Sequence, residues 1–175
     1  MATAYPRYDV AMARPDPSRV SDGEYLALDA ASDEKSEFVN GEIVAMAGAT
    51  EAHSLLQANA LIAFARRLHG GGPSRVHGPD LRVRIDETGM YAYPDVVVVC
   101  GKPEWAPTRP ESLLNPSVIV EVLSESTAGY DRGPKLHHYR RRPSVQAILL
   151  DRQPHAQRGR MDPPRPGRVA CRGPL

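Results

Sequence analysis

Hydrophobic and polar residues follow two different rhythms in the middle of this chain. The stretch 81–86, LRVRID, alternates apolar and charged residues, and this period of two predicts a strand with one buried face. The runs 95–100 (DVVVVC), 118–123 (VIVEVL) and 145–150 (VQAILL) are almost continuously apolar, which is typical of strands covered on both faces. We therefore predict an α/β fold, a β-sheet with helices on both sides.

Two helices and a hairpin are predicted before these strands. Ser21 and Glu24 stand at capping-box positions and indicate a short helix. Asn40-Gly41 lies between two β-prone arms and predicts a tight hairpin turn. Thr50 can cap a second, longer helix that ends at the glycine run 70–72. The apolar positions with helical spacing on this helix are Leu55, Leu56, Ala60, Ile62, Ala63 and Phe64. A further helix, or a turn followed by a helix, is predicted within 126–142.

Composition limits the organisation of the chain. Its 175 residues, 41% hydrophobic and 25% charged, are typical of a single globular domain, and a net charge of +1 points to no highly charged partner. We expect a flexible leader at 1–20, a folded domain at 21–151 and a disordered or aberrant tail at 152–175. The tail has six arginines but only one acidic residue and almost no apolar content, as an out-of-frame reading of a GC-rich gene would have.

The sequence also suggests a cellular location. The N-terminus lacks the apolar region of a signal peptide, and no stretch approaches the roughly 18 apolar residues that would span a bilayer. Two cysteines are too few for a disulfide framework. We expect a cytoplasmic protein without a membrane partner.

Three ionisable residues stand out as candidates for chemistry. Asp95 stands at the start of a four-valine strand, and Glu121 lies inside VIVEVL, where an unpaired carboxylate would be costly to desolvate. Lys135 lies about one helical turn into the segment that follows the Glu121 strand. Two carboxylates at adjacent strand ends suit Mg²⁺, and a lysine beside them would hold a phosphate or stabilise an attacking hydroxide. The spacing is thus compatible with metal-assisted hydrolysis of a phosphodiester.

The order of several motifs strengthens this interpretation. EFVNGEIVAMAG, Glu51-Ala52-His53, YPDVVVVCG, LLNPSVIVEVLSEST and YDRGPKLHHYRR together resemble the bacterial "putative restriction endonuclease" family with the PD-(D/E)XK nuclease fold. The resemblance covers about residues 21–151. It implies a restriction-endonuclease-like mixed β-sheet flanked by α-helices, with a site at the sheet edge. It also implies a Mg²⁺- or Mn²⁺-dependent endonuclease acting on DNA, for which a homodimer would place two sites on the two strands of a duplex.

Site residues follow from the resemblance position by position. Asp95 matches the acid of the PD motif and Glu121 the second acid, and these two are the expected metal ligands. The superfamily's usual lysine would fall at Leu123, so Lys135 in the following helix takes that role. Glu37 and His53 are expected near the metal as further catalytic residues.

Three features leave an alternative open, namely Pro134, Leu123 at the position of the usual lysine, and the aberrant tail at 152–175. Pro134, just before Lys135, restricts its predecessor and would displace the ammonium, unless it lies in the first turn of a helix. The alternative function is therefore a catalytically inactive nuclease-fold module that binds nucleic acid or a protein partner. The basic run at 137–142 is either a solvated helix end or a contact to phosphate.

Overall fold

The computed structural model of the chain describes residues 19–46, 48–68, 72–108, 111–124 and 128–152. Of the predicted leader at 1–20 and tail at 152–175, residues 1–18 and 153–175 lie outside the described residues. The helices are α1 Asp22–Ala31, α2 Glu51–Leu68, α3 Ala128–Tyr130 and α4 Leu136–Arg141, with a π-helical turn at Asp131–Lys135 between α3 and α4. The strands are β1 Ser36–Val39, β2 Glu42–Ala45, β3 Arg75–His77, β4 Val83–Ile85, β5 Met90–Ala92, β6 Val96–Val99, β7 Trp105–Ala106, β8 Ser112–Leu113, β9 Val118–Leu123 and β10 Ala147–Arg152.

The strands form two sheets, whereas the sequence predicted one. One sheet has the order β2-β1-β5-β4-β8-β7 and the other the order β10-β9-β6-β3. Each combines parallel and antiparallel pairs, so the predicted mixed α/β class is confirmed. The sheets separate between β5 and β6, where Pro94 has no N–H with which to continue a ladder.

The central strands of the smaller sheet are covered on both faces, as their sequences predicted. Every residue of β6 and β9 is buried. Val96 and Val120 pack with Ala60 of α2 on one face. Val97 and Ile119 point to the opposite face, because side chains alternate along a strand, and belong there to the largest core cluster.

The first helix and the hairpin form as predicted. Ser21 caps α1 in a complete capping box with Glu24. Asn40 and Gly41 have φ values of 51° and 84°, and β1 pairs antiparallel with β2 across this two-residue turn. These are the left-handed conformations that the Asn-Gly pair tolerates.

The prediction for the second helix is correct in extent but wrong for part of its apolar face. The amide of His53 donates to Oγ1 of Thr50, so the predicted cap is present. Leu56 and Ala60 are buried, but Leu55 and Ile62 are 47% and 50% exposed. The helix packs with one stripe against β3, β6 and β9, so its opposite side faces away from the described part of the chain.

The prediction for the strand around β4 also needs one correction. Val83 and Ile85 are buried as expected, but Arg82, assigned to the solvent side, is only 1% exposed. Its Nη1 lies 2.6 Å from Oδ2 of Asp29 in α1, and its Nε donates to Oγ of Ser112. The ion pair with Asp29 therefore keeps the charge of Arg82 in the interior.

Among the described residues, no helix is long and apolar enough to cross a membrane.

Candidate active site

Asp95 is held at the entrance to β6 by three donors. Its Oδ2 accepts a hydrogen bond of 2.7 Å from the backbone amide of Val122 in β9. Its Oδ1 accepts from Nε2 of Gln57 at 2.6 Å and lies 2.9 Å from Nε2 of His53. Gln57 follows His53 by one turn of α2, so both side chains lie on the same helix face. The carboxylate is thus oriented by one strand and one helix.

Glu121 lies beside Asp95 because of the register of β6 and β9. Val96 is paired with Val120, and continuing this antiparallel register by one residue places Asp95 opposite Glu121. Glu121 is only 4% exposed, and its Oε1 accepts a hydrogen bond of 2.7 Å from the hydroxyl of Tyr139. Burial raises the pKa of Glu121 to about 7, against the opposing effect of Lys135 and with the help of Glu37 and Asp95.

Lys135 reaches this carboxylate from the π-helical turn. Its Nζ lies 2.9 Å from Oε1 of Glu121 and 2.8 Å from Oε1 of Glu37, and the side chain is buried. The displacement that Pro134 would have caused does not occur, although the proline lies inside the helical segment. A π-helical turn replaces the α-helical hydrogen bonds there, and proline cannot donate one of them.

Glu37 completes the cluster from the larger sheet. It lies in β1, is 3% exposed, and accepts a hydrogen bond of 3.1 Å from the backbone amide of Tyr93. Burial disfavours the charged form of Lys135, but Glu121 and Glu37 outweigh that effect and raise the pKa of Lys135 above its ordinary value. Glu37 is therefore joined to Glu121 through one shared ammonium group.

All five site residues predicted from the sequence come together. Glu37, Glu121 and Lys135 form one ion-paired group, and Asp95 with His53 forms a second group beside it. The second group is joined to the first by the antiparallel pairing of β6 and β9. Asp131 adds a further buried carboxylate, 3.8 Å from Nζ of Lys135. Buried acidic groups thus outnumber the one buried ammonium.

This donor set fits a magnesium ion with few protein ligands. Among the described residues, no group of three or more His, Cys, Asp or Glu side chains is arranged to hold a metal together. Mg²⁺, however, is usually bound by one or two carboxylates and keeps several waters. Asp95 and Glu121 provide two carboxylates on neighbouring strands, and a divalent cation would favour the charged form of Glu121, whose pKa is raised mainly by burial.

Sequence reasoning missed two residues that orient the site. The signal that points to Gln57 is its spacing of one helical turn from His53. Tyr139 packs in the largest core cluster, and its hydroxyl also donates to Glu121. Of the basic run, Arg142 pairs with Asp86 and Glu87, whereas Arg140 and Arg141 are exposed.

Comparison with known proteins finds a family model, two relatives and a solved structure that this chain is similar to. Residues 22–161 match the family model Uma2, described as "Putative restriction endonuclease". Two relatives come from Synechocystis sp. (strain ATCC 27184 / PCC 6803 / Kazusa). The uncharacterized protein sll1609 is 38% identical over 127 residues, which are 73% of this chain and 71% of that protein. The uncharacterized protein slr1290 is 36% identical over 132 residues, which are 75% of this chain and 68% of that protein.

A solved structure has the same fold. It is a "putative nuclease belonging to DUF820" from Anabaena variabilis ATCC 29413, and it superposes with a TM-score of 0.60 at 18% identity. The match covers 76% of this chain and 74% of the other. This likeness shows that the two chains share a fold.

Proposed function

Because the chain belongs to the Uma2 family, described as "Putative restriction endonuclease", we propose that it is a metal-dependent endonuclease that hydrolyses phosphodiester bonds in DNA. The observation that carries the proposal is the position of Asp95 opposite Glu121, beside the buried ammonium of Lys135. Two adjacent carboxylates can hold a divalent cation, and a lysine beside them can stabilise negative charge on a phosphate.

In this proposal, Asp95 and Glu121 hold a Mg²⁺ or Mn²⁺ ion. When bound, the ion supplies Lewis-acid activation of the phosphate and lowers the pKa of a bound water. Val122 and Gln57 keep the Asp95 carboxylate in place through hydrogen bonds of 2.7 and 2.6 Å. Tyr139 does the same for Glu121 at 2.7 Å.

Lys135 and the residues around it act on the phosphate and on water in this proposal. The ammonium stabilises negative charge that develops on the phosphate, and burial strengthens this effect because the local dielectric constant is low. Glu37 keeps Nζ of Lys135 directed toward Glu121 through its 2.8 Å contact. His53, which is hydrogen-bonded to Asp95 and half-buried, is within reach to exchange a proton with water.

DNA is the proposed substrate because of the family, and a homodimer would suit a duplex with two strands to cut. The test is incubation of the protein with supercoiled plasmid or single-stranded DNA in Mg²⁺ or Mn²⁺. We expect cleavage that requires the metal and is abolished in Asp95→Asn and Glu121→Gln, both nearly isosteric. Asp33→Asn, an exposed acid outside the site, is the matched control. Absence of cleavage by the folded wild-type protein with either metal would overturn the proposal.

A second candidate function has its own support. Lys135 is already paired with Glu37 and Glu121, so the charges of the site are partly neutralised without a ligand. A catalytically inactive module that binds nucleic acid or a protein would retain such a network for stability. Isothermal titration of the wild-type protein, Asp95→Asn and Glu121→Gln with Mg²⁺ separates the two: the endonuclease binds metal through these carboxylates, and the inactive module does not.

A further inference from the structure

The outer side of α2 has an apolar stripe that no described part of the chain covers. Leu55 and Ile62 are 47% and 50% exposed, and they are separated by two helical turns. The residues along the centre of this exposed side recur at intervals of three and four. They are Ala52, Leu55, Asn59, Ile62 and Arg66, all exposed. This is the spacing with which one helix packs along another.

The stripe is self-complementary when two copies of α2 are placed side by side and antiparallel. Rotation about a two-fold axis between Ala58 and Asn59 would place Leu55 opposite the partner's Ile62, and Ile62 opposite the partner's Leu55. The same operation would place Ala52 opposite the partner's Ala65. An isologous contact requires this property, since each residue must suit the residue that symmetry brings to it.

The charges at the two ends of the stripe have the same symmetry. Glu51 begins α2 and Arg66 lies in its last turn. The rotation that pairs Leu55 with the partner's Ile62 also pairs Glu51 with the partner's Arg66. Neither Glu51 nor Arg66 forms an ion pair with another residue in the described ranges, and both are exposed. Both ends of an antiparallel helix pair would thus be closed by opposite charges.

The residues that flank the stripe allow close approach. Ala58, Ala63 and Ala65 are exposed and small, so the backbones of two helices could come near each other without obstruction. Asn59 lies next to the two-fold axis, where a central polar pair favours one register over shifted ones. Both apolar and polar positions therefore select the same antiparallel arrangement.

From these features, we infer that α2 is the interface of a homodimer in which two copies of this chain pair their α2 helices antiparallel. The inference does not depend on nuclease activity, because His53 and Gln57 lie on the opposite, inner side of the helix, against Asp95. A single pair of helices is near or below the lower limit of stable interfaces, roughly 1,200 Å² in total, so we expect a dissociation constant in the micromolar range.

The charge pairs provide the sharpest test. Sedimentation equilibrium of the full chain should show a monomer–dimer equilibrium that weakens by roughly tenfold in Glu51→Arg and likewise in Arg66→Glu, since each change brings two pairs of like charges together. The double variant Glu51→Arg/Arg66→Glu should regain the wild-type constant. An equimolar mixture of the two single variants should form a heterodimer. Failure of both the double variant and the mixture to recover would overturn the proposed register.

Two further variants separate the interface from the fold. Leu55→Gln/Ile62→Gln keeps good helix formers and should leave the thermal unfolding midpoint nearly unchanged while abolishing the dimer. Asn59→Cys should give a cross-linked dimer on mild oxidation, whereas Ala27→Cys, exposed on α1, should not. A wild-type monomer at several hundred micromolar, or an oligomer insensitive to these changes, would contradict the inference.

Discussion

Nζ of Lys135 lies 2.9 Å from Oε1 of Glu121, and both side chains are buried. One group comes from a π-helical turn and the other from the interior of a strand. The ammonium offsets part of the cost of placing Glu121 and Glu37 in a medium of low dielectric constant. The pair therefore links the stability of the fold to the chemistry proposed for the site.

Replacement of Lys135 by Met should destabilise the protein by about 3 kcal/mol at pH 8, because breaking a buried ion pair leaves uncompensated charge. At pH 5 the loss should be smaller, since the carboxyl group of Glu121, whose pKa is raised to about 7 by burial, can then bind a proton. Urea unfolding at both pH values measures the difference. Arg132→Gln, exposed in the same helical turn, is the matched control and should change the free energy of unfolding little. An equal loss at both pH values would argue against the ion pair as the cause.

The raised pKa of Glu121 predicts how stability depends on pH when no divalent cation is present. The folded pKa of about 7 lies above the ordinary value of 4.5, so the folded protein binds the proton more tightly than the unfolded chain. The resulting stabilisation is complete below pH 4.5 and is lost as the pH rises through 7. It amounts to about 3 kcal/mol, at 1.36 kcal/mol per pKa unit.

In Glu121→Gln the pH-dependent stabilisation that comes from Glu121 should disappear. The wild-type and variant proteins should therefore differ in the slope of the unfolding free energy against pH between pH 5 and 7. Added Mg²⁺ should also flatten the wild-type slope, because a bound cation favours the carboxylate. Identical slopes in the two proteins would rule out Glu121 as the group that titrates.

Gln57 should act as a positioning residue for metal binding. Its amide donates to Oδ1 of Asp95 at 2.6 Å, and loss of such an outer hydrogen bond typically lowers metal affinity by roughly 10- to 100-fold. We expect Gln57→Ala to show this loss in a calorimetric Mg²⁺ titration while its unfolding midpoint stays close to that of the wild type. Ser54→Ala, exposed one turn earlier on α2, should bind as the wild type does. Unchanged affinity in Gln57→Ala would remove the residue from the proposed site.

The buried pair Asp29–Arg82 should be a purely structural element. Oδ2 of Asp29 accepts from Nη1 of Arg82 at 2.6 Å and from the hydroxyl of Tyr93 at 2.7 Å. Arg82→Met should cost roughly 3 to 5 kcal/mol because it leaves a buried carboxylate unpaired. Removal of the exposed pair Lys35–Asp80 by Asp80→Asn should cost less than about 1 kcal/mol.

The double variant Asp29→Leu/Arg82→Met distinguishes loss of a charge from loss of packing. It should be more stable than Arg82→Met alone, because apolar side chains can replace a buried pair. Chemical denaturation compares the free energies of unfolding of the variants. A Mg²⁺ titration of each variant compares their metal affinities. A change in metal affinity in any of them would contradict the separation of this pair from the candidate site.

Local patterns predicted much of the secondary structure. The Asn40-Gly41 turn, the caps at Ser21 and Thr50, and the apolar strands around Val97 and Ile119 are all present in the structure, because each depends on neighbours in the chain or on its own periodicity. The division into two sheets was not predicted, since pairing between distant strands leaves no local signal.

The sequence by itself indicated two side chains that would carry charge into an apolar setting. Asp95 stands at the start of one β-branched run and Glu121 lies inside another, where the cost of burying an unpaired carboxylate marks it whatever the fold. Tertiary structure alone decided their partners. Gln57 and Lys135 reach them because α2 and the π-helical turn pack against the ends of β6 and β9, and Arg82 turned inward because Asp29 of α1 lies within reach. Such contacts join residues that are far apart in the chain, so they exist only once the elements have packed together.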